Sequence, residues 1–383
     1  MGDRAEIVSR IAGVPATDWD RLDASGNPFL AHAFLDALER HGCVGGDSGW
    51  TPSHLLLRDG AGRLIGAVPR YEKSHSWGEF VFDWSWAQSY LRAGLPYYPK
   101  QLAAVPFTPV TGPRLLVRKD GDLRETRGVL ASLLRETAAD ASVSGTHANF
   151  TTAEDQAALE DAGFLRRHDV RFLWRNHGYR DFEDFLDGFR SEKRKKLKRE
   201  RRRVVESGIG TRILRGEQID ESLWQVIFGF SERTFLRHGN AHYISAAFLA
   251  DVAQRMPGTV IVVLAEREHE PLAAAIFLQG GGTLYGRYWG AARHEDCLHF
   301  EICYYRGIEY CIEQGLGSFD PGTQGEHKLA RGFAPMLTSS AHWLAHEGFR
   351  AAVARYLERE RNAVVEYAAN AARHLPFQRG SAE

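Results

Sequence analysis

The feature that most constrains the fold of this chain is an order of predicted elements that occurs twice. Three short apolar strands are predicted in residues 54–83, and three more in residues 259–289. These segments are rich in Val, Ile and aromatic residues and are bounded by Gly, Asp and Ser, which is typical of a β-meander. The second meander is followed by a predicted helix and a short strand at 317–320. The order strand, strand, strand, helix, strand in both halves indicates duplication, although the halves share too little identity to define a sequence repeat.

The segments between and after the meanders are predicted to be mainly helical. Helices are predicted at 123–139, 153–162, 181–206, 221–237, 245–255 and 347–370, with a further strand at 168–175. This mixture indicates α/β architecture. Because 383 residues are too many for one ordinary core, we expect two domains. The predicted boundary lies near residue 176, which gives domains of residues 1–175 and 176–383.

The composition is that of an ordinary soluble globular protein, with 44% hydrophobic and 25% charged residues. No apolar run approaches the roughly 20 residues that a membrane helix needs, and the first six residues lack the apolar core of a signal peptide. We therefore expect a cytoplasmic protein with no membrane partner. The four cysteines form no Cys-x-x-Cys pair, which favours buried free thiols over disulfides or metal ligands.

Positive charge is concentrated in residues 190–203. Ten of these fourteen residues are Lys or Arg and two are Glu, whereas the whole chain has a net charge of −1. Leu197 and Val204 lie seven residues apart, so one apolar line can anchor a helix through the charges. Such a helix suits a phosphate backbone, whereas the alternative is a solvated helix face, the usual role of a charge run. The predicted phosphate-binding residues are Lys193, Arg194, Lys195, Lys196, Lys198, Arg199, Arg201, Arg202 and Arg203, with Lys328 and Arg331 farther along the chain.

A second polar cluster follows the second meander. Its members are His299 and Glu301 at the start of the predicted helix, and Asp320, Gln324, Glu326, His327, Lys328 and Arg331 after the next strand. Ligands of open α/β sheets collect beyond strand ends, where loops and helix termini converge. Glu326 and His327 are the best candidate general bases, and His299 and Glu301 are further catalytic candidates. Taken singly, each residue has an equally good structural explanation, such as a place on a solvent-exposed helix face, in a helix cap or in a turn.

Aromatic residues near this cluster are candidates for an acceptor pocket, although core packing explains most of them equally well. They are Tyr285, Tyr288, Trp289, Tyr304 and Tyr305. Other site chemistries match poorly. The sequence has no Gly-x-Ser-x-Gly elbow and no Walker loop, and its His-x-Glu at 299–301 is not followed by the Pro-Cys-x-x-Cys of zinc deaminases. No metal is therefore predicted.

Several long segments carry a resemblance to a known family. They are residues 68–83, 97–100, 106–114, 193–203, 298–305 and 324–333. Together they resemble the FemAB-like group of predicted N-acyltransferases in the GNAT superfamily, over nearly the whole chain. The resemblance implies two GNAT-like domains in tandem, each a mixed, largely antiparallel sheet flanked by helices. It also implies transfer of an acyl or aminoacyl group to an amine or hydroxylamine-type acceptor, a small molecule, by direct attack.

The resemblance implies one of two donors, acyl-coenzyme A or aminoacyl-tRNA. The usual GNAT coenzyme A loop is not found in good form at 289–294, whereas the basic segment suits the many phosphates of a tRNA. We therefore expect aminoacyl-tRNA as co-substrate, no tightly bound cofactor and no DNA partner. Backbone N–H groups of a bulged strand at 288–290 are expected to stabilise the oxyanion. The alternatives are an acyl-coenzyme A donor, or a non-catalytic nucleic-acid-binding protein on the same scaffold. The N-terminal domain is expected to be structural or to serve the acceptor.

Overall fold

The computed structural model describes residues 2–23, 25–323 and 325–378, so Gln324 of the predicted polar cluster lies outside the described residues. The chain divides into two compact units. The first comprises Met1–Asp169 and Leu337–Glu366, and the second comprises Val170–Met336 and Tyr367–Glu383. The first change of unit lies a few residues before the predicted boundary near residue 176. The sequence does not predict the return of residues 337–366 to the first unit.

The strands are short in the first half of the chain and longer in the second. They are β1 (Arg4–Val8), β2 (Trp50–Pro52), β3 (His54–Arg58), β4 (Leu64–Val68), β5 (Arg70–Lys73), β6 (Lys100–Ala103), β7 (Leu116–Val117), β8 (Gly145–Thr151), β9 (Leu165–Arg175), β10 (Gly210–Arg215), β11 (Val260–Arg267), β12 (Glu270–Gly280), β13 (Thr283–Ala291), β14 (Ser318–Asp320) and β15 (Ala334–Leu344).

The helices lie between these strands and at the C-terminal end. They are α1 (Ala16–Trp19), α2 (His32–Arg40), α3 (Trp84–Arg92), α4 (Leu123–Asp140), α5 (Ala153–Asp161), α6 (Phe182–Asp187), α7 (Ser191–Glu206), α8 (Glu221–Arg237), α9 (Ala246–Arg255), α10 (Leu298–Phe300), α11 (Arg306–Glu313) and α12 (Glu347–Ala372). A π-helical turn, Glu301–Tyr305, joins α10 to α11, and short 3-10 turns occur at Ile11–Gly13, Pro28–Leu30, Gly46–Ser48, Gly216–Gln218 and Glu326–Arg331.

Polar residues cap the N-terminal ends of several helices. The side chains of Asp122, Thr152, Asp181, Asp220 and Ser245 accept hydrogen bonds from backbone N–H groups in the first turns of α4, α5, α6, α8 and α9. Such caps satisfy donors that have no partner inside the helix. The predicted helices at 123–139, 153–162, 221–237, 245–255 and 347–370 are confirmed.

Two predicted elements differ from the structure. The single predicted helix at 181–206 is two helices, because the chain breaks at Gly188 and Phe189 forms an antiparallel bridge with Phe377. The third strand predicted for the first meander, at 79–83, is a loop. The carboxylates of Glu79 and Asp83 are bound by the ammonium group of Lys100 inside the first unit, and this pairing replaces a strand ladder.

The first unit contains two sheets. The smaller has the strand order β1-β3-β4-β7 and is antiparallel throughout. The larger has the order β15-β8-β6-β5-β2, in which only the pairing of β6 with β8 is parallel. Strand β15 contributes through residues 339–344, which pair with β8. Leu130, Ala131 and Leu134 of α4 pack against these strands in a buried apolar core.

The second unit contains one mixed sheet with the order β10-β11-β12-β13-β14-β9. Its strands are antiparallel except for the parallel pair β13 and β14. Two helices, α8 and α9, connect β10 to β11, and the helical segment 298–313 connects β13 to β14. Leu197 and Val204 of α7 lie in the buried apolar core of this unit, which confirms the predicted apolar line through the basic helix. No helix among the described residues has the length and apolar character needed to cross a membrane.

Candidate functional site

Two neighbouring strands of the second unit separate at one end, and this separation opens the candidate site. β13 pairs with β14 only through residues 283–285, and β13 then continues to Ala291. Gly286 follows the last pair. It lies so close to Pro321 that a Cβ at Gly286 would come within 3.3 Å of the Pro321 backbone. The residues after β14 therefore lie beside the end of β13, in the kind of strand-end crevice where α/β sheets bind ligands.

β13 is also bulged on its other side. Ile276 of β12 pairs with Tyr288, and the next residue, Phe277, pairs with Gly286, so Arg287 is the extra residue of a β-bulge. Bulges often lie next to active sites because they redirect a strand. The backbone groups at 288–290 that we predict to bind an oxyanion follow this bulge directly, and that role stays a prediction.

The helical segment after β13 brings two predicted site residues together. Its π-helical turn contains Tyr304 and follows His299, and turns of this type are frequent at functional sites. The rings of His299 and Tyr304 have centroids 5.3 Å apart. The indole of Trp289, at the end of β13, contacts His299 with 4.3 Å between ring centroids.

The loop after β14 positions His327, and one glycine makes its path possible. Gly325 has φ +108°, a value that L side chains rarely adopt, and a Cβ there would lie 2.1 Å from Cε1 of the His327 ring. His327 then lies in the 3-10 turn Glu326–Arg331. The ring is placed by the backbone of Gly325 because no side chain there competes for the same space.

His327 and Tyr304 form the central pair of the site. Nε2 of His327 and the hydroxyl oxygen of Tyr304 are 2.9 Å apart. Tyr304 is buried and His327 is exposed to solvent. Partial burial of the His327 ring, followed by the positive charges of Arg331 and Lys328, lowers the pKa of His327, and burial raises the pKa of Tyr304 well above its usual range. The pair is therefore a neutral imidazole beside a protonated phenol at neutral pH.

The second ring nitrogen of His327 is available to a substrate. Among the described residues, Nδ1 of His327 has no hydrogen-bond partner. When Nε2 carries the proton and donates it to the Tyr304 oxygen, Nδ1 keeps its lone pair and can accept a proton. The hydroxyl proton of Tyr304 is then free to be donated elsewhere. The pair can thus accept one proton and supply another.

Arg331 fixes the backbone of His327. Its Nη1 donates to the His327 carbonyl oxygen at 2.8 Å, and its Nε donates to the Tyr305 hydroxyl at 3.0 Å. Its Nη2 donates to a carboxylate oxygen of Glu200 at 2.9 Å, and its guanidinium lies 3.5 Å from the centroid of the Phe300 ring. Arg331 is buried and its observed contacts position the His327 backbone, whereas its predicted role in phosphate binding stays a prediction.

Glu200 connects the basic helix α7 to this loop. It lies between Leu197 and Val204 on the buried side of α7 and accepts hydrogen bonds from Arg331 and from the Tyr305 hydroxyl. A charge-assisted hydrogen bond of a buried pair is stronger than one on the surface. The basic helix and the His327 loop are therefore held together by a buried ion pair.

The other predicted catalytic carboxylates have different partners. Glu301 is buried and forms two hydrogen bonds with Arg201, at 2.8 Å and 3.1 Å, and Arg201 also contacts Glu309. Glu326 is exposed and accepts a hydrogen bond from the Tyr367 hydroxyl at 3.0 Å. The structure places neither carboxylate against His327 or Tyr304, so His327 is the better candidate base. Burial lowers the pKa of His299 to about 4, so that ring is neutral.

Lys328 is buried and stabilises the loop rather than facing solvent. Its ammonium group donates to the carbonyl oxygens of Gly322 at 2.8 Å and Thr323 at 3.2 Å. Burial lowers the pKa of Lys328 to about 7, although Asp320 opposes this shift. Asp320 in turn accepts a hydrogen bond from Arg171 at 2.6 Å. The predicted contact of Lys328 with donor phosphates stays a prediction, and its observed contacts are with the backbone.

About half of the cations of α7 are already paired. Arg194 contacts Asp187, Lys198 contacts Glu183, Arg201 contacts Glu301 and Glu309, and Lys196 lies 4.0 Å from Glu200. These contacts fix the helix on the second unit and leave fewer charges for a ligand. Arg203 lies beside Cys297. Burial raises the pKa of the Cys297 thiol, and a hydrogen bond with Arg203 partly opposes this rise.

Three cations of α7 point away from the core. Lys195, Arg199 and Arg202 are exposed and, in the part of the chain that the structure describes, have no acidic partner. They are four and three residues apart, so they lie on one face, opposite the buried line of Leu197, Glu200 and Val204. Lys193, at the start of the helix, is also exposed and without an acidic partner there. We call Lys195, Arg199 and Arg202 the basic face.

The aromatic residues predicted to line an acceptor pocket have several environments. Tyr304 and Trp289 face the site as described, whereas Tyr305 is fully buried against Glu200 and Arg331. Tyr285 is largely buried in β13. Tyr288 lies with its ring centroid 4.9 Å from that of His242, whose pKa burial lowers to about 4. Only part of the predicted group therefore lies at the His327 loop.

A family model described as peptidoglycan biosynthesis/recognition, FemAB-like, matches residues 10–379. The chain belongs to the FemAB-like family. The family membership confirms the resemblance found in the sequence. It also favours an acyltransferase over a non-catalytic nucleic-acid-binding protein. A search of curated protein sequences finds no match to this FemAB-like chain.

Solved structures with similar folds cover almost the whole FemAB-like chain. The C-terminal domain of a putative lysylphosphatidylglycerol synthetase from Agrobacterium fabrum is 10% identical, with a TM-score of 0.53, over 90% of this chain and 96% of that one. FemX is 12% identical, with a TM-score of 0.52, over 88% and 97%. L-PGS from Bacillus licheniformis is 11% identical, with a TM-score of 0.53, over 88% and 96%. At such identities the likeness shows the shared fold, a mixed α/β fold of the FemAB type.

The sequence predictions for this FemAB-like chain miss several residues that hold the site together. In the sequence predictions, Glu200 is only one of the two acids of the basic segment. Its position, three residues after Leu197 and four before Val204, nevertheless places it on the apolar side of the helix. An acid on the apolar side of a basic helix is a usable signal, because buried acids are rare unless they are paired. Arg171, by contrast, lies in an ordinary strand pattern, and nothing in the sequence marks it as the partner of Asp320.

Proposed function

We propose that this FemAB-like protein transfers an aminoacyl group from aminoacyl-tRNA to an amine. One observation carries the proposal, a continuous set of hydrogen bonds within the second unit. It runs from Glu200 of α7 through Arg331 to the backbone of His327, whose ring contacts Tyr304. The helix that offers cations to phosphates is thus fixed to the loop that carries the candidate base.

The proposed reaction is the aminolysis of an ester. The acceptor nitrogen attacks the carbonyl carbon, a C–N bond forms, and the bond from that carbon to the ribose oxygen of the tRNA breaks. Nδ1 of His327 accepts the proton that the amine loses. Nε2 of His327 gives its proton to the Tyr304 oxygen while the Tyr304 hydroxyl proton moves to the leaving ribose oxygen, so no proton is left over.

The basic face supports a donor with many phosphates. Lys195, Arg199 and Arg202 present three cations along one helix face, without acidic partners in the described residues. A polynucleotide backbone offers a row of phosphates to such a face, whereas a single nucleotide offers few. Binding through these cations releases counterions, so it weakens as salt increases.

The comparisons indicate which acceptors to test first. The family description, peptidoglycan biosynthesis/recognition, points to amine-bearing peptides of peptidoglycan precursors. The name of one structural neighbour denotes formation of lysylphosphatidylglycerol, which supports aminoacyl transfer as a chemistry that this fold can carry. We therefore propose that the acceptor supplies a primary amine and that the donor supplies an aminoacyl ester.

The donor proposal is tested by binding and single-turnover assays with charged tRNA. We expect Lys195→Gln/Arg199→Gln to weaken tRNA binding by about tenfold and to reduce the salt dependence by about two phosphate contacts. Arg355→Gln/Arg359→Gln is the matched control, because these arginines are also exposed and four residues apart on a helix. The control should bind tRNA as the unchanged protein does.

Separate outcomes decide separate parts of the proposal. Full activity with an acyl-coenzyme A donor and no dependence on tRNA would exclude aminoacyl-tRNA as donor. His327→Gln should abolish product formation while tRNA binding is retained. If that variant turns over at the unchanged rate, His327 is not the base, whatever the donor is.

A further inference from the structure

Residues 73–100 of the first unit reverse the usual distribution of charge and apolar surface. Five large apolar side chains of this stretch are between 37% and 77% exposed, namely Trp77, Phe82, Trp84, Leu91 and Leu95. We call these five residues the aromatic surface. The two lysines and two carboxylates of the same stretch are all buried. Exposed large apolar groups and buried charges are the informative exceptions to normal burial.

The buried charges anchor this stretch from inside. Nζ of Lys100 donates to the Ser76 hydroxyl at 2.9 Å, to Glu79 at 2.8 Å and to Asp83. The hydroxyl of Tyr97 donates to Asp83 at 2.6 Å. One lysine therefore holds the loop before α3 at three points, and Trp77 and Phe82, which lie between those points, are exposed to solvent.

The loop that presents the aromatic surface also adopts unusual backbone conformations. Phe80 has φ +58°, which is uncommon for a residue with a side chain. Gly78 has φ +78°, and a Cβ there would lie 2.6 Å from the Phe107 ring. Backbone outliers of this kind persist where the surrounding structure enforces them, often at functional positions.

The aromatic surface continues from the loop along one side of α3. The rings of Trp77 and Trp84 are in contact, with centroids 5.4 Å apart. Trp84 and Leu91 are seven residues apart on α3, which places them on one face. After the helix, Gly94 (φ +71°) reverses the chain, and the N–H of Leu95 donates to the Tyr90 carbonyl at 3.0 Å. This C-terminal turn keeps Leu95 next to the last turn of α3.

We propose that the aromatic surface binds the surface of a membrane that contains anionic lipids. Within residues 73–100, Arg92 is the only exposed side chain with a permanent charge, because Glu79 and Asp83 are buried. No exposed carboxylate of this stretch repels anionic headgroups, and the one exposed cation attracts them. Trp and Phe prefer the interface between headgroups and acyl chains, and exposed leucines bury apolar area there. The sequence prediction of no membrane partner concerned spanning helices, whereas this contact is peripheral and does not depend on the proposed function.

Vesicle co-sedimentation of the full chain tests this proposal. We expect binding to vesicles of phosphatidylcholine mixed with phosphatidylglycerol, and weaker binding to phosphatidylcholine alone. Leu91→Ser/Leu95→Ser and Trp77→Ser/Trp84→Ser should each reduce the bound fraction by about tenfold, because they remove apolar area that enters the interface. Arg92→Gln should reduce only the preference for phosphatidylglycerol. Leu236→Ser is the control, because Leu236 is 62% exposed on α8 of the second unit and should not affect binding.

Two results overturn the proposal. The first is that the unchanged chain fails to sediment with either kind of vesicle. The second is a concentration-dependent dimer in sedimentation velocity, without vesicle binding, that Trp77→Ser/Trp84→Ser converts to a monomer. That result would assign the aromatic surface to a second copy of this chain. Thermal unfolding of each variant shows whether a lost signal reflects a lost fold, and these exposed positions should leave the fold intact.

Discussion

At the level of single residues, the chemistry of the site comes down to which partner each polar side chain has. Sequence reasoning selects His327 and Glu326 together, because both have the right chemistry in one loop. The structure separates them, since His327 contacts Tyr304 and Glu326 contacts the exposed Tyr367. Residue type is visible in a sequence, but the choice between two neighbouring bases depends on contacts with residues that are distant in the chain.

The His327–Tyr304 pair predicts a specific pH dependence. Because the pKa of His327 is lowered, the neutral base should predominate at neutral pH. The rate constant kcat/KM should therefore rise with pH below about 6.5 and level off above it. Tyr304→Phe should lower kcat by about a hundredfold and leave the affinity for tRNA unchanged. A pH–rate profile of the unchanged protein and of Tyr304→Phe measures the pH dependence and the loss of kcat.

Glu200→Gln tests the buried pair beneath the site. The substitution keeps the shape of the side chain but leaves the guanidinium of Arg331 without its carboxylate, which should cost about 3 kcal/mol of unfolding free energy. It should also lower kcat, because Arg331 positions the His327 backbone. Glu206→Gln, at the exposed end of α7, is the control and should change stability by less than about 0.5 kcal/mol. Urea unfolding measures both, and equal effects of the two substitutions would contradict a positioning role.

At the level of elements, helices could be predicted well and the loops that make the site could not. The caps at Asp122, Thr152 and Asp220 are local signals, and the helices that they begin are found within a residue or two. The separation of β13 from β14 and the π-helical turn before α11 have no comparable local signal. Both arise from tertiary packing, which overrides local preference.

From the geometry of the loop after β14, we predict that Gly325 is needed for activity more than for folding. Gly325→Ala forces a Cβ into the space of the His327 ring and strains a residue with positive φ, at a cost of about 1–2 kcal/mol. Gly282→Ala is the matched control, because Gly282 also has positive φ (+74°) but has open space around its Cβ. Both variants should lose similar stability, and only Gly325→Ala should lose turnover. Retained turnover in Gly325→Ala would show that the ring position is not set by this glycine.

At the level of the whole molecule, buried bases should make stability depend on pH. Burial lowers the pKa of Lys73 to about 7 in the folded protein, whereas the unfolded value is about 10.4. Between these values the unfolded chain binds the extra proton, so stability should rise as pH rises through this window. Lys73→Met should remove part of this rise, and Lys119→Met, at an exposed position, should not. Unfolding free energies at pH 7 and pH 9 measure the difference.

The division of the chain is the part of the architecture that the sequence predicts least. The two meanders indicate two units, but the second segment of the first unit, residues 337–366, follows the whole of the second unit in sequence. The sequence of β15 mixes apolar and polar residues and carries no distinctive pattern. Its pairing with β8, from Ser339 opposite Thr151 to Leu344 opposite Gly145, is long-range. Local patterns carry no information about which distant strand a segment will join.

That long-range pairing has a consequence for synthesis on the ribosome. Every residue of β8 is buried, and its partner β15 is translated almost two hundred residues later. Until then the nascent first unit has an open sheet edge, which is a place where chains aggregate or recruit chaperones. The N-terminal half must therefore wait for the C-terminal half to emerge before it can close, so this protein cannot mature strictly in the order in which it is made.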